Sequence, residues 1–323
     1  MGAGIFNKDQ TVRSQKGLIP KGANWVQDKV TEFEPEKNSV TTSLNGKITY
    51  DVLVVTTGVQ LDLKGIKGLE EAIGKDGVTT NYSFDFVDKT WPFIQQTKEG
   101  NAIFTQPATP VKCGGGPQKI CYLAGDSLPN KISEFFSEFF NSEDHWRREG
   151  LRNKINVDFY TAGGALFGVP HYSKALKETV CDPRGIGVHV KHNLIEVRSK
   201  DKEAVFLNMD TNEALVRKYS FLHVVPPMGP PPVIKHSPLA SSDTGFVSVD
   251  KETTQHTLYK NVFALGDCSN LPTSKTAAAV ASQSKITAGN ILSFLEGKPL
   301  EKKYDGYTGF KILLFPFPFH HSN

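Results

Sequence analysis

The part of the sequence that most constrains the fold is the run from residue 261 to residue 284, NVFALGDCSNLPTSKTAAAVASQS. Residues 262–265 are apolar and predict a short buried strand, and Gly266-Asp267 then predicts a turn at the carboxyl end of that strand. Open α/β sheets bind their ligands at this edge. The run therefore favours an α/β fold with a ligand site near residue 266.

A helix is predicted directly after this turn. We expect Thr273 or Ser274 to cap a helix that continues through Lys275, Thr276 and three alanines. The amide N–H groups and the positive dipole end of that helix would face the same cleft, where they would stabilise negative charge on a ligand.

Two side chains at the turn could bind a ligand or react with it. Asp267 would accept a hydrogen bond from a polyol hydroxyl, and Cys268 follows it directly, close enough to contact a ligand. The alternative is an ordinary turn in which Cys268 is a small buried side chain. The Thr-Ser-Lys-Thr sequence and the alanines that follow favour the ligand site.

A second segment also consists of a predicted strand that ends in a glycine turn. Residues 47–58 form a β-like run that closes in Thr56-Thr57-Gly58, and residues 23–30 and 38–42 upstream predict a small β-meander. The pattern resembles the second flavin fingerprint of flavoproteins with two dinucleotide-binding domains, in which a glycine turn lets the backbone approach the dinucleotide. The resemblance implies that Thr57 and Gly58 bind the cofactor, and that Val30 lies in the piece flanking its adenine end.

A third segment, residues 110–119, combines a cysteine with three glycines between a predicted strand at 101–105 and a predicted helix near 120. By position it is the phosphate-binding turn of another nucleotide-binding unit. However, Lys119 stands where the third glycine is needed, and the next strand, residues 156–161, ends in Thr-Ala where a ribose-binding acid is expected. We interpret the unit as a nucleotide-binding fold whose cleft serves the thiol of Cys113. A structural Cys113 beside a flexible loop is the alternative.

Cys113 in PVKCGGGPQK and Cys268 in GDCSNLPTSKTAAAVA together resemble the mitochondrial type of sulfide:quinone oxidoreductase. The resemblance extends over nearly the whole chain, apart from residues around 124–154 and the last dozen or so. It includes the motifs YDVLVVTTGVQLD, NYS, NLIEVR, HVVPPMGPP and KKYDGYT.

The resemblance implies an enzyme that oxidises hydrogen sulfide and reduces ubiquinone through bound FAD. Cys113 and Cys268 match the two catalytic cysteines of the family, which are bridged by sulfur, attacked by sulfide and left with a persulfide that a small thiol or sulfite removes. Lys275 and Thr276 match positions near the pyrimidine edge of the flavin, and Gly266-Asp267 positions near its ribityl chain. The family is peripheral to the mitochondrial inner membrane.

Two other interpretations stay open. One is a flavoprotein similar to type II NADH:quinone dehydrogenase, which Lys119 and the missing ribose acid disfavour. The other is an inactive truncated fragment that acts only by binding. Both ends look truncated against the family: no G-x-G-x-x-G unit precedes the matched region, and the sequence departs from the family after residue 308.

Composition excludes several classes of function. The formal net charge is only +3 and the basic residues are dispersed, so nucleic-acid binding is not expected. The four cysteines have no CxxC spacing and the histidines no ligand spacing, so we expect no metal site. We expect Cys121 and Cys181 to be non-catalytic. No apolar run is long enough to span a bilayer, and residues 131–148 predict an amphipathic helix that packs on the domain.

The order of these segments predicts an α/β fold of two Rossmann-like dinucleotide-binding domains, in which an inserted NAD-like domain interrupts the FAD domain. We place a partial FAD domain at residues 1–92, the inserted domain with Cys113 at 93–228, the return to the FAD domain at 229–308 and an atypical tail at 309–323. The boundary signals are Trp91-Pro92 and the proline-rich residues 226–232. In the tail, prolines within residues 312–319 argue against a helix.

Overall fold

The computed structural model describes residues 1–125 and 145–309, apart from Ala3 and Ile5. The α-helices in this part of the chain are α1 Leu69–Ala72, α2 Val87–Gln96, α3 Gly116–Gly125, α4 His145–Arg148, α5 Pro170–Ala175, α6 Pro232–Lys235 and α7 Ala277–Leu295. A π-helical segment, Leu176–Cys181, continues α5, and Gly266–Cys268 forms a short 3-10 helix.

The strands are β1 Val30–Glu34, β2 Ser39–Thr42, β3 Gly46–Thr49, β4 Leu53–Val55, β5 Gln60–Leu61, β6 Val78–Thr79, β7 Gly100–Gln106, β8 Ile155–Thr161, β9 Ile186–His189, β10 His192–Arg198, β11 Glu203–Asn208, β12 Ala214–Lys218, β13 Phe221–His223, β14 Met228–Gly229 and β15 Val262–Ala264.

The larger unit is built on a parallel sheet of five strands in the order β6-β13-β7-β8-β9. Successive residues of a strand point to opposite faces, so Phe104 packs on one side of β7 and Ile103 on the other. Helices α2, α3 and α4 cover the first face, where Trp146 is fully buried. The antiparallel sheet β10-β11-β12 covers the second. Both faces of the parallel sheet are therefore dry, as such sheets require.

The smaller unit consists of the antiparallel meander β1-β2-β3, the parallel pair β4-β15 and the long helix α7. Its core contains Val55, Val262, Ala264 and Cys268. Val54, in the middle of β4, is 42% exposed, which contrasts with the buried strands of the larger unit.

Two of the crossings between the units are paired with each other. β5, on the way into the larger unit, pairs antiparallel with β14 on the way out, with Met228 opposite Leu61. The two crossings therefore lie side by side.

The predicted α/β class with two Rossmann-like units is confirmed. The strands predicted at 101–105, 156–161 and 262–265 are observed as β7, β8 and β15, and the predicted helix after the glycine turn is α3. Two details were wrong. The meander begins at Val30 rather than at residue 23, and residues 47–58 divide into β3 and β4 because the chain bends between them.

The boundary signal at Trp91-Pro92 lies inside an element. Pro92 is within α2, where it removes one helical hydrogen bond without ending the helix. β6, which precedes α2, belongs to the same sheet as β7. The sheet order thus favours an insertion that begins near β5, and the exact domain limits stay a prediction.

Two expectations concern residues beyond this description. Of the amphipathic helix predicted over residues 131–148, only the last four residues are described, and they form α4. The tail segment 312–319 lies entirely outside the described residues. In the part that is described, no helix combines the length and the apolarity that a membrane span requires.

Candidate functional site

A cleft of about 830 Å³ lies where the two units meet. Four of the segments that line it follow the carboxyl ends of parallel strands, namely β6, β7, β4 and β15. This is the edge at which open α/β sheets bind ligands. We call residues 81–84 with Lys112 and Cys113 the Cys113 wall. The Asp267 wall comprises Thr56, Gly58, residues 265–267, residues 275–277, Val280 and Ala281.

Two glycines shape the Asp267 wall. Gly58 follows β4 with φ +70° and Gly266 follows β15 with φ +73°, both in the left-handed region that favours glycine. The N–H of Gly266 donates to Oε1 of Gln283 in α7 at 2.9 Å. That bond fixes the turn against the helix.

The helix in this wall begins later than predicted. Thr276, not Thr273 or Ser274, is the N-cap of α7, and its hydroxyl accepts from the N–H of Ala279 at 3.2 Å. The reason is tertiary: the carbonyl oxygen of Lys275 accepts from the N–H of Cys113 at 2.7 Å, so residue 275 is committed to the other wall. The first turn of α7 nevertheless lines the cleft, as the sequence predicts.

Charged groups are partly desolvated along the Asp267 wall. The Lys275 ammonium donates to the carbonyl oxygens of Asp267 at 2.7 Å and Ser269 at 3.0 Å, and lies 4.0 Å from the centre of the Phe246 ring. Burial lowers the pKa of Lys275, and nearby Asp267 and Cys268 oppose the shift. Burial raises the pKa of the Asp267 carboxyl, while Lys275 and Lys112 oppose that change. Ligand charge entering this wall would therefore meet little competing water.

Cys113 is half-buried and belongs to the lining of the cleft. Its Sγ lies 3.6 Å from Nζ of Lys119, the residue that replaces the third glycine of the turn. A cationic side chain beside the sulfur is typical of cysteines that act as nucleophiles.

Cys268 is placed differently. It is fully buried beneath the Asp267 wall and does not belong to the cleft lining; its Sγ donates to the carbonyl oxygens of Val55 at 3.3 Å and Leu265 at 3.4 Å. Burial raises the pKa of this thiol, opposed by hydrogen bonds from Gly58 and Thr57. The structure thus brings one predicted cysteine into the cleft and sets the other just below its wall.

Most of the residues predicted to bind a cofactor line this cleft, namely Gly58, Gly266, Asp267, Lys275 and Thr276. Thr57 lies between two lining residues without lining the cleft itself. Val30 lies in β1, packed against the core of the smaller unit. Sequence reasoning missed Tyr82, which contacts Cys113; its only signal was its place in the NYS motif.

In the described part of the chain, the other thiols and the histidines form no second centre. Cys121 and Cys181 are fully buried, and burial raises the pKa of both thiols. Among the described residues, no three His, Cys, Asp or Glu side chains are arranged to hold a metal ion.

The fold and the site define an α/β protein with two Rossmann-like units that share a ligand cleft. No family model matches the chain. It is similar over 313 residues to the mitochondrial sulfide:quinone oxidoreductase of Dictyostelium discoideum, with 49% identity, covering 97% of this chain and 65% of the relative. The resemblance predicted from the sequence is confirmed. The chain spans slightly less than two thirds of that relative.

Solved structures agree on the fold. A chain in the cryo-EM structure of the Tetrahymena thermophila mitochondrial ATP synthase matches with a TM-score of 0.72 at 25% identity, covering 95% of this chain and 73% of that chain. The sulfide:quinone oxidoreductase of the hyperthermophilic bacterium Aquifex aeolicus matches with a TM-score of 0.65 at 19% identity, covering 85% of this chain and 61% of that one. At that identity the bacterial enzyme shows the fold alone.

Proposed function

We propose that the chain is part of a flavoprotein that oxidises hydrogen sulfide and passes two electrons through FAD to ubiquinone. The observation that carries the proposal is the shared cleft, in which the half-buried thiol of Cys113 faces the same space as Gly58, Asp267 and the first turn of α7. The similarity to a relative named sulfide:quinone oxidoreductase supports the same function.

The residues of the cleft fit a flavin dinucleotide. Gly58 and Gly266 turn the backbone at two strand ends, leaving room for close approach of a ligand. The Asp267 carboxylate is an acceptor suited to ribityl hydroxyls. Residues 275–277 at the start of α7 line the cleft, and the positive dipole end of this helix with Lys275 suits an electron-rich ring edge. Gly58, Gly266, Asp267, Lys275 and Thr276 are therefore the residues we assign to the cofactor, with Thr57 and Val30 as more peripheral assignments.

Bound FAD would supply the two-electron acceptor that thiol chemistry needs. The chain's own contribution is electrostatic. The dipole end of α7 and the Lys275 ammonium favour negative charge at the cleft, whose lining also includes the apolar Val280 and Ala281.

The two cysteines would handle the sulfur. If Cys113 and Cys268 are joined by a disulfide-type bridge, hydrosulfide attacks one bridge sulfur, a new S–S bond forms, and the bridge S–S bond breaks. One cysteine is left as a persulfide and the other as a thiolate. A small thiol or sulfite would accept the sulfane sulfur and so return the first cysteine to a thiolate. Oxidation of the two thiolates back to the bridge would then release an electron pair, for which bound FAD would be the acceptor. Bridging requires Sγ of Cys268 to turn away from the Val55 and Leu265 carbonyls that it contacts here.

We further propose a mitochondrial location, peripheral to the inner membrane, because the relative is named as a mitochondrial enzyme and ubiquinone is a membrane substrate.

The test is an absorbance spectrum of the purified chain with added FAD, followed by anaerobic titration with sulfide. A protein-bound flavin band that bleaches with sulfide is the expected result. A bound band that bleaches with NADH instead would indicate the dehydrogenase-like alternative. Absence of bound flavin would favour a chain that acts only by binding and would contradict the proposal for this polypeptide.

A further inference from the structure

Cys113 has a backbone conformation that cysteine rarely adopts. Its φ angle is +55°, in the left-handed region, where the Cβ atom crowds the backbone. The next three residues are glycines, which would accept this conformation without strain. Strain at a non-glycine residue persists only where the surroundings impose it. The contacts around Cys113 therefore decide where its thiol lies.

Three hydrogen bonds hold the peptide groups of Cys113. Its N–H donates to the carbonyl oxygen of Lys275 at 2.7 Å, and its own carbonyl oxygen accepts from the N–H of Gly116 at 2.7 Å. The same oxygen accepts from the hydroxyl of Tyr82 at 3.1 Å. Of these three bonds, the one from Tyr82 comes from a side chain, so a substitution can remove it without altering the backbone.

Tyr82 is itself held in place. Its N–H donates to Oγ1 of Thr80 at 3.2 Å, and the N–H of Asn81 donates to Nε2 of the fully buried His223 at 3.0 Å. Burial raises the pKa of Tyr82 well above its ordinary value, so its hydroxyl stays protonated at neutral pH. The hydroxyl is thus a fixed donor aimed at Cys113.

Gly116 provides an independent sign that this contact matters. A Cβ atom at residue 116 would lie 2.5 Å from the Tyr82 hydroxyl oxygen and 3.3 Å from the ring carbon that bears it. Gly116 has no positive φ, so the glycine is needed here for space rather than for conformation. Any side chain at this position would displace the hydroxyl.

We propose that Tyr82 is a positioning residue whose hydroxyl holds Cys113 in the left-handed conformation, with Sγ beside the Lys119 ammonium at the cleft. The inference rests on the proposed function, in which Cys113 is a reactive thiol. Without the Tyr82 hydroxyl, the residue relaxes from its strained conformation and the sulfur loses its contact with the Lys119 ammonium group.

The test is the rate at which iodoacetamide alkylates Cys113 at neutral pH, followed by mass spectrometry of peptides. The sulfur attacks the carbon that bears iodine, a C–S bond forms, and iodide leaves. Cys121, Cys181 and Cys268 are fully buried, so Cys113 is the first site labelled. We expect Tyr82→Phe and Gly116→Ala each to slow labelling about three- to tenfold, the worth of one neutral hydrogen bond. The double variant is expected to be no slower than either single variant, since both remove the same contact.

Tyr122→Phe is the matched control. It removes the hydroxyl of another tyrosine, which donates to Oε1 of Gln118 at 3.3 Å within α3, and it is expected to leave Cys113 labelling unchanged. A labelling rate in Tyr82→Phe that equals or exceeds that of the wild type would overturn the inference. So would a double variant in which the two reductions in labelling rate add and parallel its loss of thermal stability. If Tyr82→Phe does not fold, Gly116→Ala decides the question, because it displaces the hydroxyl and keeps the tyrosine. The assay needs no FAD, so a failure of flavin binding would count against the proposed function alone.

Discussion

Each wall of the cleft has one cysteine in or beneath it, and the two cysteines differ in exposure and in contacts. On the Cys113 wall the cysteine is half-buried, strained in its backbone and 3.6 Å from an ammonium group. Beneath the Asp267 wall the cysteine is fully buried and donates to two carbonyl oxygens. The place of a cysteine in a motif therefore does not decide its exposure, which depends on the backbone and contacts around it. In this structure Cys113 belongs to the cleft lining and Cys268 does not.

The largest effect is expected from removing each thiol. We expect Cys113→Ser and Cys268→Ser each to slow sulfide-dependent bleaching of bound FAD about a thousandfold or more, because both sulfurs are needed to form and reopen the bridge. Stopped-flow absorbance measures the rate, and flavin content is the control, since neither substitution should release FAD. Full activity of Cys268→Ser would show that the buried thiol has no part in the reaction.

The second prediction concerns the support behind the Cys113 wall. Burial lowers the pKa of His223 to about 3, so the folded chain holds this ring neutral while the unfolded chain protonates it near 6.5. The stability that neutral His223 contributes is therefore complete above pH 6.5 and is lost as the pH falls toward 3, by about 1.4 kcal/mol per pH unit. The total loss is on the order of 5 kcal/mol.

Urea unfolding of the wild type and of His223→Gln across this range measures the effect. The glutamine keeps an oxygen that can accept from the N–H of Asn81 but does not titrate, so the pH dependence should flatten by that amount. If the free energy of unfolding changes equally with pH in the two proteins, protonation of His223 does not destabilise the fold.

The third prediction tests the Asp267 wall, again through the free energy of unfolding. Thr276→Ala removes the N-cap of α7 and is expected to cost about 1 kcal/mol of unfolding free energy. Thr276→Ser keeps the capping oxygen and is the matched control. A loss of the same size in both variants would mean that the hydroxyl does not cap the helix. Urea unfolding at neutral pH is the measurement.

The smallest expected effect is at Asp267. Burial raises the pKa of Asp267 in the folded chain above its unfolded value near 3.8. The stability linked to the protonated form is therefore fully present below pH 3.8. It is lost as the pH rises through the folded pKa. Asp267→Asn should therefore stabilise the free chain at neutral pH by less than about 1 kcal/mol and leave it unchanged near pH 3. Destabilisation at neutral pH would mean that the carboxylate is held by favourable contacts in the free chain, contrary to its raised pKa.

Local patterns were sufficient where a single segment determines the outcome. The buried strands β7, β8 and β15, the glycine turn at Gly58 and the turn at Gly266-Asp267 were predicted, because each depends on apolar runs and glycines that are neighbours in sequence. The turns at Gly58 and Gly266-Asp267 also belong to the lining of the cleft.

Prediction failed where distant segments meet. The start of α7 depends on the bond between the Lys275 carbonyl and Cys113 in the other unit, which no capping rule includes. The thiol direction of Cys268 depends on the Val55 carbonyl at the end of β4. The contact of Tyr82 with Cys113 joins the end of β6 to the loop after β7, and these strands lie on either side of β13 in the sheet. In each case the deciding partner comes from another element.

The short ladder of β5 and β14 has a mechanical consequence. Because the outgoing and returning crossings are hydrogen-bonded to each other, neither can shift without the other. Sδ of Met228 also accepts from the N–H of Lys112 at 3.4 Å, so the residue before Cys113 is tied to the same ladder. A shift of the crossings would therefore reach the Cys113 wall directly, without passing through the parallel sheet.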